Sequence, residues 1–202
     1  MLYNTEYKLT RDNYSDFKNI KKRIVIGHTF NSGMKHINGW KHRFNKKYNK
    51  TAPFTIGLNG CVYNHFDPAF SSNFLQNEKL DKSSIIILLE NEGWLLKNEQ
   101  KNLFFNVNWS IYSNEDIFIK KWREYEYWAM YTQKQLESLV DLVIQLCNDF
   151  DIEKNIIEHN TKIDNIEYYY GILYHSNINK NYTDPSPAFD FREFRTRVIE
   201  KI

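Results

Sequence analysis

Cysteine is scarce in this chain of 202 residues: there are two, Cys61 and Cys147, far apart and in no C-x-x-C motif. Both sit in apolar contexts, one in an expected strand and one on an expected helix face, which suits two buried thiols in a reducing interior; a single disulfide is the alternative. Charge of one sign is also lacking. A formal net charge of +2 argues against a highly charged partner. No stretch approaches the roughly 18 apolar residues of a membrane span, and Met1 to Glu6 lacks a basic region leading into an apolar run, so we expect neither a span nor a signal peptide, and no membrane partner. Internal repeats and low-complexity linkers are missing too, which leaves one domain of ordinary size.

What is present is hydrophobic and aromatic. Hydrophobic residues make up 42% and aromatic residues 16% of the chain, which excludes disorder. Between Lys35 and Lys50, the basic residues Lys41, Arg43, Lys46 and Lys47 interleave with Trp40, Phe44 and Tyr48. Such a segment can meet a phosphate backbone, but a solvated helix face with its aromatics turned inward explains it as well, and we expect no nucleic-acid partner.

Several elements can be read from residue patterns. Arg23 to His28 is a short β-branched run and reads as a buried strand. A helix is expected from Lys35 to Tyr48. Phe54 to Tyr63 reads as a hairpin turning at Asn59-Gly60. Ser84 to Leu89 is apolar without alternation, as in a strand buried on both faces at the centre of a sheet. Residues 94 to 131 show no clear period and are expected to form a long covering loop with short strands. From Gln133 to Phe150, Leu136, Leu139, Val140, Val143, Leu146 and Cys147 recur at three and four, the mark of an amphipathic helix, and Thr132 with Gln135 forms a capping box at its start. A last helix is expected near Asp190, carrying Phe194, Val198 and Ile199. Strands interspersed with helices make an α/β fold: a single-domain mixed central β-sheet flanked by helices, spanning residues 23–202 after an N-terminal extension, residues 1–22.

The most specific pattern comes late: Gly171-Ile172-Leu173-Tyr174-His175-Ser176, a loop, then Tyr182-Thr183-Asp184-Pro185-Ser186-Pro187-Ala188-Phe189-Asp190-Phe191. It resembles the closing motif of the zinc-dependent N-acetylmuramoyl-L-alanine amidases and peptidoglycan recognition proteins, roughly G-I-V-G-H-S followed by K-T-D-P-G-P-A-F-D-W. Arg23 to Thr29, Phe54 to Tyr63, Ser84 to Gly93 and Trp122 to Thr132 resemble earlier family segments in the same order.

The resemblance implies a zinc ion held by three side chains, which acidifies a bound water for amide hydrolysis. His175 and Asp184 match two of the ligands. The third position falls on Gly27, with His28 one place later, where strand alternation aims it at the opposite face unless a bulge intervenes. The general-base glutamate falls on Leu88, leaving Glu90 two residues on as the candidate base. The lysine of the closing motif falls on Tyr182, whose hydroxyl can still donate to an oxyanion. Asn73 stands where an accessory histidine is common, and it joins Tyr174 as a candidate substrate contact. His65 and His159 match no role and are expected on the surface.

Three functions follow as expectations. The first is a catalytically degenerate relative that binds muropeptide or peptidoglycan. The alternative is an active zinc amidase of the endolysin type, using His28, His175 and Asp184. The third is a virion structural or regulatory protein that contacts another protein through residues 94 to 131. In each case the chain is expected in the cytoplasm at synthesis, and afterwards in a phage particle or at the cell wall after release by a lysis system.

Overall fold

The computed structural model describes residues 2–42, 49–113 and 116–200. A five-stranded sheet forms its centre, built from β1 (Arg23–His28), β2 (Phe54–Ile56), β3 (Val62–Asn64), β4 (Ser84–Leu89) and β9 (Gly171–Tyr174). Their order is β3-β2-β4-β1-β9, parallel throughout except for the β2–β3 hairpin. Because β1 and β4 are inside and flanked on both faces, every one of their residues is buried, which is why neither sequence alternates. The apolar run Ser84–Leu89 takes the central position.

The two faces of this sheet carry different cores. Ile24 and Ile26 of β1, Ile85, Ile87 and Leu89 of β4, and Ile172 of β9 pack with Leu136, Leu139, Val140, Val143 and Leu146 of α3 (Gln133–Phe150). The expected capping box at Thr132 and Gln135 starts that helix. Each fully buried aliphatic side chain there contributes about 1.5–3 kcal/mol, and α5 (Phe191–Glu200) closes the layer with Phe194 and Val198. Val25, Ile86, Leu88 and Leu173 point the other way, towards Ile37 and Trp40 of α1 (Lys35–His42), Phe74, and Leu80 of α2 (Glu78–Ser83). The expected helix from Lys35 is described as far as His42; its predicted continuation over Arg43, Phe44, Lys46, Lys47 and Tyr48 lies outside the described residues.

Residues 94 to 131 form more than a covering loop. They build a second, antiparallel sheet from β5 (Trp94–Asn98), β6 (Leu103–Phe105), β7 (Ile117–Trp122) and β8 (Tyr125–Ala129), in the order β6-β5-β8-β7. Its pairing is set by cross-strand contacts that one-dimensional periodicity does not register. Trp128 is fully buried, its Nε1–H donating to Lys120 O at 2.8 Å. Asn91 ties this sheet to the end of β4, its amide donating to the carbonyls of Ala129 (3.2 Å) and Met130 (3.0 Å).

Residues 2–22 lie against the domain: Asn4 pairs with Tyr63 of β3, the amide of Leu9 donates to His65 O at 2.9 Å, and Leu9 is buried in the α1-side core. Both cysteines are free thiols, Cys147 buried and Cys61 half-buried in the hairpin loop just ahead of β3. His65, expected on the surface, is fully buried, and His159 is half-buried with its ring stacked on Phe191 at 4.0 Å. His65 packs inside because both of its ring nitrogens find partners, the Tyr7 carbonyl and the Thr55 hydroxyl. No described helix is long and apolar enough to cross a membrane.

A cleft at the strand ends, with a glycine where a ligand was expected

Parallel strands release their chains at one edge of the sheet, where a ligand crevice commonly forms. Here the C-terminal ends of β1, β4 and β9 bring Gly27, Leu88 and His175 to the α1 side of the sheet. A cavity of about 220 Å³ opens at this point, lined by His175, Asp184, Tyr182 and Leu88, with His28, Thr29, Phe30, His36, Trp40, Lys50 and Phe74 on its remaining walls. His175 is the first residue of the short helix α4 (His175–Ile178), directly after β9. Asp184 returns beside it because Ser176 N donates to Asp184 O at 2.8 Å.

The carboxylate of Asp184 can only accept, so His175 donates to it through Nδ1, 2.8 Å from Oδ2 and 3.0 Å from Oδ1. In the neutral ring this leaves a lone pair on Nε2, which is buried and without a hydrogen-bond partner among the described residues. The amide of His28 also donates to Asp184 Oδ2, at 3.2 Å. Burial by itself would raise the Asp184 pKa; the neighbouring His175 and His28 outweigh it and hold the carboxyl below its ordinary range. The ring of Tyr182 stacks on His175 with centroids 3.7 Å apart.

His28 borders the same cavity, but its ring is bonded to a partner other than the His175–Asp184 pair. β1 pairs with β4 in unbroken register, Gly27 beside Leu88 and His28 beside Leu89, so no bulge turns the side chain back. Its Nδ1 lies 2.7 Å from the hydroxyl of Tyr131, which also accepts from Ser186 N. Burial drives its pKa down to about 4, although Asp184 opposes the shift. Its Nε2 lies within 3.1 Å of the point where a Cβ on Gly93 would sit.

At Gly27, the Asp184 carboxylate fills the room a side chain would need: a Cβ there would lie 2.4 Å from Oδ2. Among the described residues, no three His, Cys, Asp or Glu side chains come together as a metal site. The residues present therefore do not fit the zinc that the resemblance implies. His175 and Asp184 are bonded to each other, the third position has no side chain, and the expected base position is a leucine.

Glu90 lies outside the cavity lining. Its Oε2 accepts from Leu58 N at 3.0 Å and its Oε1 from Gly33 N, so it braces the loops after β1 and β2. Tyr174 is buried on the α3 side, its ring 4.8 Å from that of Phe191. Asn73 is exposed on a different depression, beside Ser72 and Asn49.

Among the wall residues that were not singled out as site residues from the sequence are His36, Lys50 and Phe74. A signal existed for one of them: His36 and Trp40 are four apart on a helix and so share a face, with rings 4.7 Å apart.

The family model described as N-acetylmuramoyl-L-alanine amidase matches residues 17–187. Among solved structures, the amidase LysC from Clostridium intestinale URNW superposes with a TM-score of 0.56 at 14% identity, over 98% of this chain and 95% of its own. PlyL gives a TM-score of 0.58 at 10% identity, over 98% and 97%. The E. coli amidase AmiD, in complex with the substrate anhydro-N-acetylmuramic acid-L-Ala-D-gamma-Glu-L-Lys, gives 0.57 at 13% identity, over 91% of this chain and 59% of its own. No curated protein matches the chain.

Proposed function

The chain belongs to the N-acetylmuramoyl-L-alanine amidase family, and from that premise we propose that it is a peptidoglycan-binding member that has lost the zinc-dependent hydrolysis. The observation that carries this reading is the pairing of Gly27 with Leu88 in one register of the sheet. The neighbouring positions expected to supply a metal donor and a proton acceptor supply a hydrogen atom and an isobutyl group. The cleft itself remains, with an aromatic wall at Trp40 and Phe74 and polar groups at His36, Lys50, His175 and Tyr182. That mixture of apolar surface and a few placed polar groups suits a sugar-peptide ligand.

A sedimentation assay with purified peptidoglycan, run alongside an assay for released stem peptide, tests it. The expected result is binding, no peptide release, and no gain of release on adding zinc. Stem-peptide release by zinc-supplemented protein would overturn the loss of catalysis, and absence of binding would overturn the ligand.

A second reading, contact with a virion or host protein, is supported by the second sheet and its loop, where Trp109, Ile111 and Ile119 are exposed at 74%, 57% and 65%. Exposed apolar side chains on this sheet and its loop suit a partner surface.

A further inference from the structure

One wall of the cleft is held by a chain of buried hydrogen bonds that determines where every proton sits. It starts at the carbonyl of Tyr7, which can only accept. His65 Nδ1 lies 2.8 Å from it and must therefore donate. Burial keeps His65 neutral, with a pKa of about 4, so its Nε2 carries a lone pair. Thr55 Oγ1 is 2.9 Å from that nitrogen and gives it its only proton. The Thr55 oxygen is then an acceptor towards His36 Nε2, 3.2 Å away, which must carry a proton.

His36 also stays neutral, since burial and the neighbouring His65 push its pKa down to about 3. Its remaining nitrogen, Nδ1, is left as a bare lone pair. Among the described residues, that atom is buried and has no hydrogen-bond partner. His36 lines the cleft, and Nδ1 is its one side-chain nitrogen without a partner among the described residues. An unpaired buried acceptor is destabilising, so a position that keeps one is suited to receiving a donor from a ligand.

We infer that His36 is a ligand-binding residue whose Nδ1 accepts a hydrogen bond from a peptide N–H, with Thr55 and His65 as positioning residues that fix its tautomer. A metal ion is a poorer occupant, because His36, His175 and Asp184 do not converge as a metal-holding group. A carboxylate is poorer still, since a lone pair repels it. A peptide offers what the wall lacks: N–H donors for His36 Nδ1 and His175 Nε2, alternating with carbonyls for Lys50 and the Tyr182 hydroxyl. This inference rests on the muropeptide reading and names the part of that ligand, its stem peptide, which this wall would hold.

Two measurements test it. In the first, long-range proton–nitrogen correlation spectra of labelled protein assign the tautomers; the expected result is a proton on Nε2 of His36 and on Nδ1 of His65. A proton on His36 Nδ1 overturns the inference. In the second, N-acetylmuramoyl-L-alanyl-D-isoglutamine is titrated into wild type, His36→Phe, Thr55→Val and Thr55→Ser. We expect about tenfold weaker binding for His36→Phe, the worth of one hydrogen bond. Thr55→Val is nearly isosteric and should bind more weakly and show mixed His36 tautomers, while Thr55→Ser keeps the hydroxyl and should restore both.

Unchanged affinity in His36→Phe, with wild type binding, overturns the inference and leaves the muropeptide reading standing. Failure of wild type to bind overturns that reading and the ligand assigned to His36, while the tautomer spectra still decide the hydrogen-bond chain.

Discussion

The two faces of the central sheet use the same strands for opposite purposes. On the α3 side, Ile24, Ile26, Ile85, Ile87 and Leu89 meet an 18-residue helix and close completely. On the α1 side, Val25, Ile86, Leu88 and Leu173 are covered by shorter elements, and the strand ends are left with a cavity ringed by His36, His175, Asp184 and Lys50. One face is continuous aliphatic packing, while the other stops short and substitutes hydrogen-bonded polar groups. A residue's role is therefore set by the face it is on: along β1, Gly27 faces the Asp184 carboxylate, while His28, one position on, is bonded to Tyr131 at the border of the cleft.

The largest expected effect tests the closed face. Leu139→Ala removes a fully buried side chain of α3 and should cost about 2–5 kcal/mol in urea unfolding. Leu88→Ala borders an existing cavity and should sit at or below the low end of that range. Equal losses at the two positions would break the contrast between the faces.

Acidification probes the open face. His65 is fully buried and its folded pKa of about 4 lies below the ordinary 6.5. The unfolded chain therefore takes up protons first as pH falls. Its contribution to stability is complete above about pH 6.5 and is lost as pH drops through about 4, a change on the order of 3 kcal/mol. Urea midpoints measured between pH 7 and pH 4 should fall for wild type and fall less for His65→Gln, compared by their slopes. Parallel slopes would remove His65 from the account.

The smallest effects distinguish two glycines. At Gly27 a Cβ would lie 2.4 Å from Asp184 Oδ2, whereas at Gly39, in the middle of α1, nothing lies within 4 Å. Gly27→Ala should cost about 1–3 kcal/mol by displacing a buried hydrogen-bonded carboxylate. Gly39→Ala should gain about 0.5–1 kcal/mol, the ordinary helix preference. A neutral Gly27→Ala would mean the carboxylate moves freely, and the His175–Asp184 pair would then be less fixed than its hydrogen bonds imply.

Much of the fold could be read from residue order. The β1 and β4 runs, the Asn59-Gly60 hairpin and the capped helix from Gln133 each follow from local rules, because burial on one or two faces leaves a period in the chain. The second sheet could not be read this way. Its aromatic residues have no clear period, since Trp94 pairs with Trp128 and Leu95 with Tyr127 across a long separation. The cleft was half legible. His175 and Asp184 were found through their motif, while His36 and Lys50 come from a segment that reads as a solvated basic helix face. His65 looked superficial only because its partners, Tyr7 and Thr55, are remote in sequence.

By itself the sequence determined the family pattern, the central strand, and the absence of a side chain at Gly27 and of a carboxylate at Leu88, because residue identity and strand alternation require no coordinates. Only the tertiary structure decided that the Asp184 carboxylate occupies the space beside Gly27, that Glu90 braces two loops, and that His36 is held in one tautomer. Each of these depends on which atoms approach within a few ångströms from distant parts of the chain, and no local pattern encodes such approaches.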